Sequence, residues 1–151
     1  MADEWRRADY LISTNNDLLD ISMIHEFLAN SYWATGIPRD IVQRSIENSL
    51  AFGVYKGPQQ IGFARVITDY ATYAYLGDVF VLEAFRGHGL GLWLMEIIVS
   101  HPRLQGLRRW SLLTKDAHRL YERVGFTPIA APDRYMEKTV PNIYTRKKTL
   151  T

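Results

Sequence analysis

An α/β fold built on a mixed sheet of six or seven strands, with about four helices, is what the 151-residue sequence predicts. Three observations carry that expectation. Apolar segments follow the order strand, two helices, three strands, helix, strand, helix, strands, which is too irregular for a doubly wound sheet. The hydrophobic fraction of 47% against 23% charged residues is ordinary for a core-forming chain, and no repeat, low-complexity tract or linker divides it. The stretch 79-VFVLEAFRGHGLGLWLMEIIVS-100 runs from a β-type tripeptide, through three glycines in five residues, into an apolar helix. Residues 1–151 are therefore expected to form a single domain.

Each element has a local reason. Tyr10 to Ser13 is a short β-type run ended by the turn-prone Asn15-Asn16-Asp17. Asp17 is the expected cap of a helix carrying Leu18, Ile21, Ile24, Phe27 and Leu28 on one stripe. The segment 31-SYWATGIP-38 breaks that pattern, and Pro38 opens a second helix with Ile41, Val42, Ser45 and Ile46 at helical spacing. Leu50 to Tyr55 turns through Gly57-Pro58 into Ile61 to Thr68, the chemistry of a hairpin, and Tyr73 to Leu82 is a third strand. After the glycines come a helix from Leu90 to Ser100 and a strand from Arg109 to Thr114. A helix from Asp116 to Val124 then stops at Gly125. Tyr135 to Val140 is the expected final strand.

Composition excludes several classes of function. With a net charge of +2, no pull toward nucleic acid or membranes is expected; the one dense basic cluster is Arg146-Lys147-Lys148. Cysteine is absent, which removes disulfides, thiolate metal sites and a cysteine nucleophile. The histidines lack metal-ligand spacing, so no metal is expected. The N-terminus has no apolar signal region, and the longest apolar stretch, Leu90 to Val99, contains Glu96; a cytoplasmic location is the expectation.

The glycine loop can be sorted against other phosphate-binding loops. A dinucleotide fingerprint fails because Leu92 or Leu94 falls where its last small residue belongs, and a P-loop fails because no lysine follows. What remains is Arg86-Gly87-His88-Gly89-Leu90-Gly91 between a strand and a helix. Small residues there let successive N–H groups converge on an anion such as pyrophosphate, aided by about half a positive charge at the helix N-terminus. A tight turn that needs glycine only for its conformation is the alternative.

Two motifs resemble the GNAT superfamily of acyl-CoA-dependent N-acetyltransferases. One is [RQ]-x-x-G-x-[GA], present at Arg86 to Gly91 after Val79-Phe80-Val81; the other is 117-AHRLYERVGF-126. The resemblance covers nearly the whole chain, though weakly before residue 60, and implies acetyl-CoA as acyl donor and coenzyme A as product. It implies that Val79, Phe80 and Val81 pair by their backbone with the pantetheine arm where two parallel strands splay apart. Residues Arg86, Gly87, His88, Gly89, Leu90 and Gly91 would hold the pyrophosphate. Thr114 stands where members of the family often carry an asparagine that contacts the pantetheine.

The same resemblance makes Tyr121 the residue that protonates the departing thiolate; a phenol of pKa about 10 can donate without prior ionisation. A core tyrosine beside Leu120 and Phe126 is the plainer alternative. An amine of pKa about 10 reaches the enzyme protonated, so a base is needed. Asp78 is the candidate, with Glu83, His118 or water as alternatives and a turn role for Asp78 set beside them. Strand parity puts Asp78 and Val79 on opposite faces unless a bulge intervenes.

In the family the acceptor lies against the loop joining the first two helices. Tyr32 and Trp33 would then wall the acceptor site, with Tyr75 bordering it from the third strand, near Asp69, Tyr70 and Tyr73. The expected acceptor is a small-molecule primary amine, attacked directly in a ternary complex; a protein N-terminus or lysine is the alternative. A homodimer is allowed. A catalytically silent acyl-CoA-binding sensor is the competing class, and a nucleic-acid-binding module is disfavoured by the weak charge.

Overall fold

A computed structural model describes residues 2–146, so Lys147 and Lys148 of the basic cluster lie outside the described residues. Six strands form one sheet in chain order: β1 (Glu4–Arg7), β2 (Tyr10–Ser13), β3 (Leu50–Lys56), β4 (Gln59–Thr68), β5 (Tyr73–Val81) and β6 (Arg109–Leu112). Neighbours are antiparallel except β5 and β6, which run parallel, so the sheet is mixed as expected. Helices α1 (Ile21–Ala29) and α2 (Arg39–Glu47) cover one face, where Ile24, Leu28, Val42 and Ile46 pack with Ala51, Phe63 and Phe80. Helices α3 (Leu90–Ser100) and α4 (His118–Glu122) belong to the other face, where Trp93, Leu94, Met95 and Ile98 pack with Phe52, Val54, Val66 and Leu76.

Four features differ from the sequence expectation. Strand β1 was not expected, because Glu4-Trp5-Arg6-Arg7 shows no apolar alternation; only Trp5 turns inward, against Phe52 and His101. Buried His101 secures this edge: its Nε2 lies 3.0 Å from Asp3 Oδ2, and its Nδ1 accepts the Arg103 N–H at 3.1 Å. Helix α1 starts at Ile21, capped by Asp20 Oδ1 on the Met23 N–H, while Asp17 sits in a separate 3-10 turn capped by Asn15. The final strand expected over Tyr135 to Val140 does not form. That segment lies between Pro132 and Pro141, neither of which has an N–H to donate, and Met136 is almost wholly exposed.

The fourth difference is a bulge in β5. Phe63 pairs with Phe80 and Arg65 with Gly77, so β5 holds one residue more than β4 between these pairs. Asp78 takes the strain, with φ of 54°. The extra residue resets strand parity: Asp78 now faces α1 and α2, Phe80 stays on that side, and Val79 and Val81 pack on the α3 side.

Candidate active site

Strands β5 and β6 pair only over Tyr73–Leu76 and Arg109–Leu112. Pairing stops there because β6 ends at Leu112, and β5 continues to Val81 paired on its β4 side alone. The Leu82 N–H donates to the Ile61 carbonyl on β4 at 2.8 Å, so by strand alternation Val81 turns its main-chain groups toward this unpaired edge. There the Val81 carbonyl accepts Arg86 Nε at 2.9 Å. The conspicuous arginine of the loop motif thus holds the end of the strand.

Past the 3-10 turn Glu83–Phe85, the chain enters α3 through Gly87 and Gly89, both left-handed at φ of 85° and 76°. No acceptor among the described residues takes the N–H of Gly87, His88, Gly89, Leu90, Gly91 or Leu92. Nothing lies within 4 Å of where a Cβ at Gly87 would sit. An exposed cradle of successive unpaired amides at the start of an 11-residue helix has the donor set and electrostatic sign for a phosphate group. His88 is exposed within it.

Tyr121 stands on α4, whose C-terminus explains its orientation. The Phe126 N–H donates to the Tyr121 carbonyl and the Gly125 N–H to the Glu122 carbonyl, both at 3.1 Å, with Gly125 at φ of 100°. This is a Schellman end, and its apolar contact is Phe126 edge-on to the Tyr121 ring at 6.0 Å. Burial pushes the Tyr121 hydroxyl up to about 12, and the nearby Tyr32 phenol adds to the effect. The fold therefore brings together Tyr121 and Tyr32, far apart in sequence. Lys115 lies 5.3 Å over the Tyr32 ring, so the α1–α2 loop reaches across to the β6–α4 loop. Thr114 Oγ1 accepts the Ala117 N–H at 3.0 Å, which ties that loop into α4.

On the α1 side, Asp78 is held by two donors. Arg65 Nε lies 2.6 Å from Oδ2, and Trp33 Nε1 donates to Oδ1 at 2.9 Å. The Asp78 side chain is only 11% exposed, and Arg65 extends the network to Ser49 Oγ at 3.1 Å. Trp33 and Tyr32 meet edge to face at 5.1 Å, and Phe27 stacks on Phe80 at 3.8 Å. Together with Met23, Glu26, Asn30, Ser31 and Leu82, the residues Phe27, Tyr32 and Trp33 line a cavity of about 580 Å³.

Other candidates fall elsewhere. Tyr75 is half-buried with its ring over Gly77, and its hydroxyl is pushed up by burial and by Asp78, but it does not line that cavity. Asp69 staples the β4–β5 turn, accepting the Thr72 hydroxyl and the N–H groups of Thr72 and Ala71, which holds its carboxyl far below the usual range. Glu83 and His118 are exposed. Sequence reasoning did not single out Arg65, Glu26 or Phe27 for this site; of these, only Phe27 stood out by sequence, as part of a helical stripe.

Residues 17–126 match the acetyltransferase (GNAT) family. A Gibberella zeae protein named "Putative acetyltransferase FG08082" is 35% identical, over 78% of this chain and 78% of its own. A Xanthomonas campestris crystal structure of a GNAT-family acetyltransferase superposes with a TM-score of 0.88 at 53% identity, over 91% of this chain and 97% of that one. A Clostridium acetobutylicum structure determined with acetyl-CoA shares the fold alone, at TM-score 0.63 and 16% identity over 92% of this chain and 96% of that one. With the unpaired end of β5, the amide cradle and these relatives in agreement, the chain belongs to the GNAT family of acetyltransferases.

Proposed function

We propose that this protein moves an acetyl group from acetyl-CoA to the primary amine of a small molecule bearing an apolar or aromatic body. The observation that carries the reading is the edge of β5 left unpaired beyond Leu76, with unpaired amides 87–92 after its end and Tyr121 on the helix after β6. In this reading the pantetheine arm lies along the open side of Val79 to Val81, and the diphosphate rests on the loop from Gly87 to Gly91. Bound there, acetyl-CoA supplies the activated thioester. Arg86 keeps the end of β5 fixed, and Thr114 fixes the start of α4.

The ammonium first gives one proton to water; the neutral nitrogen then attacks the thioester carbon, the C–S bond breaks, and the second proton leaving nitrogen ends on the coenzyme A thiol. Tyr121 is protonated at neutral pH, and burial raises its hydroxyl to about 12, making it a weaker acid than a thiol. Handing its proton outright to the thiolate is therefore uphill. Tyr121 therefore acts as a hydrogen-bond donor to sulfur as negative charge gathers on it.

Asp78, with Arg65 and Trp33 on its two oxygens, serves this reaction by holding Trp33 in place rather than by accepting a proton. The open groove lined by Phe27, Tyr32 and Trp33 offers aromatic faces to an apolar or cationic body, and Glu26 beside it gives a cationic amine its counter-charge.

The test is calorimetric titration with coenzyme A, followed by thiol release from acetyl-CoA across a broad amine library. Binding with turnover supports the proposal. Binding with no turnover on any amine supports the acyl-CoA sensor, and no binding defeats both.

A further inference from the structure

Strand β1 ends beside the amide cradle. The Arg7 guanidinium lies 5.4 Å over the Trp93 ring, in the first turn of α3. A Cβ added to Gly89 would meet Arg7 Nη2 at 3.2 Å. The other charged groups of this edge are committed: Glu4 lies 3.5 Å from Arg6, and Asp9 lies 3.8 Å from Lys56. Arg7 makes no ion pair and no side-chain hydrogen bond among the described residues. A planar cation steadied on an aromatic face, without an anionic partner and directly over a left-handed glycine whose N–H is also unpaired, is pre-organised for an anion.

Resting on the acetyl-CoA reading above, we infer that Arg7 is a ligand of the cofactor's diphosphate, supplied by the N-terminal strand from outside the glycine-loop motif. The guanidinium adds charge-assisted donors to the oxygens that the loop amides hold. Gly89 then has two reasons to be glycine: its positive φ, and the space that Arg7 occupies.

The experiment compares the wild type, Arg7→Gln and Arg7→Lys by calorimetric titration with coenzyme A and with dephospho-coenzyme A, which keeps the diphosphate but lacks the 3′-phosphate. Arg7 is exposed, so all three proteins are expected to fold, with unchanged circular dichroism and melting temperature without ligand. Arg7→Gln is expected to weaken both ligands about 10-fold and to flatten the salt dependence of binding, with Arg7→Lys between. Equal affinities for wild type and Arg7→Gln overturn the inference. Weakening of coenzyme A alone overturns the diphosphate assignment in favour of the 3′-phosphate. If the wild type binds neither compound, the acetyl-CoA reading itself falls, and the assignment of Arg7 with it.

Discussion

Replacing Asp78 by asparagine removes one charge while leaving an acceptor for the Trp33 N–H and a side chain that tolerates positive φ. The carboxylate and the Arg65 guanidinium are 11% and 18% exposed, so neither is screened as a surface pair is. Breaking a fully buried pair costs about 3–5 kcal/mol. Here the residual exposure and the Arg65 bond to Ser49 soften the loss, and about 2 kcal/mol is expected for Asp78→Asn, with a similar loss for Arg65→Gln. The two losses should not add: urea denaturation of both single variants and the double variant at pH 7 should give a coupling of about 1.5 kcal/mol. Asp78→Ala should lose about 2 kcal/mol more than Asp78→Asn, because the Trp33 acceptor goes and alanine fits φ of 54° badly. Additivity within about 0.5 kcal/mol would refute the ion-pair reasoning. If Asp78→Asn instead retains full stability and suppresses turnover most below neutral pH, the residue is the general base.

Tyr121→Phe should lower kcat roughly 10- to 100-fold, the worth of one hydrogen bond to a developing charge, with coenzyme A affinity nearly unchanged; unaltered turnover removes its role. Raised hydroxyls at Tyr55, Tyr75 and Tyr121 mean that the folded state holds phenolic protons that the unfolded chain gives up near pH 10. Their stabilisation is complete below pH 10 and declines above it, for Tyr121 over pH 10 to about 12 at roughly 1.4 kcal/mol per pH unit. Denaturant melts at pH 9, 10 and 11 should show this, and Tyr121→Phe should flatten the slope. The Tyr55 hydroxyl is buried with no partner among the described residues, so Tyr55→Phe should raise stability by about 1 kcal/mol in the same assay; a loss of that size would mean that the hydroxyl is satisfied. Gly53→Ala should lose at least about 2 kcal/mol, since its Cβ would lie 2.2 Å from the Tyr55 hydroxyl.

The architecture was legible wherever burial dictates periodicity. The boundaries of α3 follow from an apolar run between Gly89 and His101-Pro102, and the β3–β4 hairpin from its Gly57-Pro58 turn. The glycine loop before α3 and the helix that carries Tyr121 were legible because each is local to a motif. Other features were hidden because each depends on what lies across space. The β5 bulge exists relative to β4, and Arg65 and Asp78 meet through strand pairing. Strand β1 is held by Trp5 and by buried His101, to which Asp3 is tied, rather than by a pattern of its own. Asp17 and Asp20 are equally good caps in sequence; the Asp20 N–H bond to Gln60 Oε1 at 2.7 Å distinguishes them in the fold.

The edge of β5 beyond Leu76 is an unfinished ladder. On the proposed acetyl-CoA reading, occupancy of that edge and folding are thermodynamically linked: cofactor at 100 times its dissociation constant would add about 2.7 kcal/mol to the unfolding free energy. Survival against proteases would rise and fall with the supply of coenzyme A, and amide hydrogen exchange at Val79 and Val81 would report that supply directly.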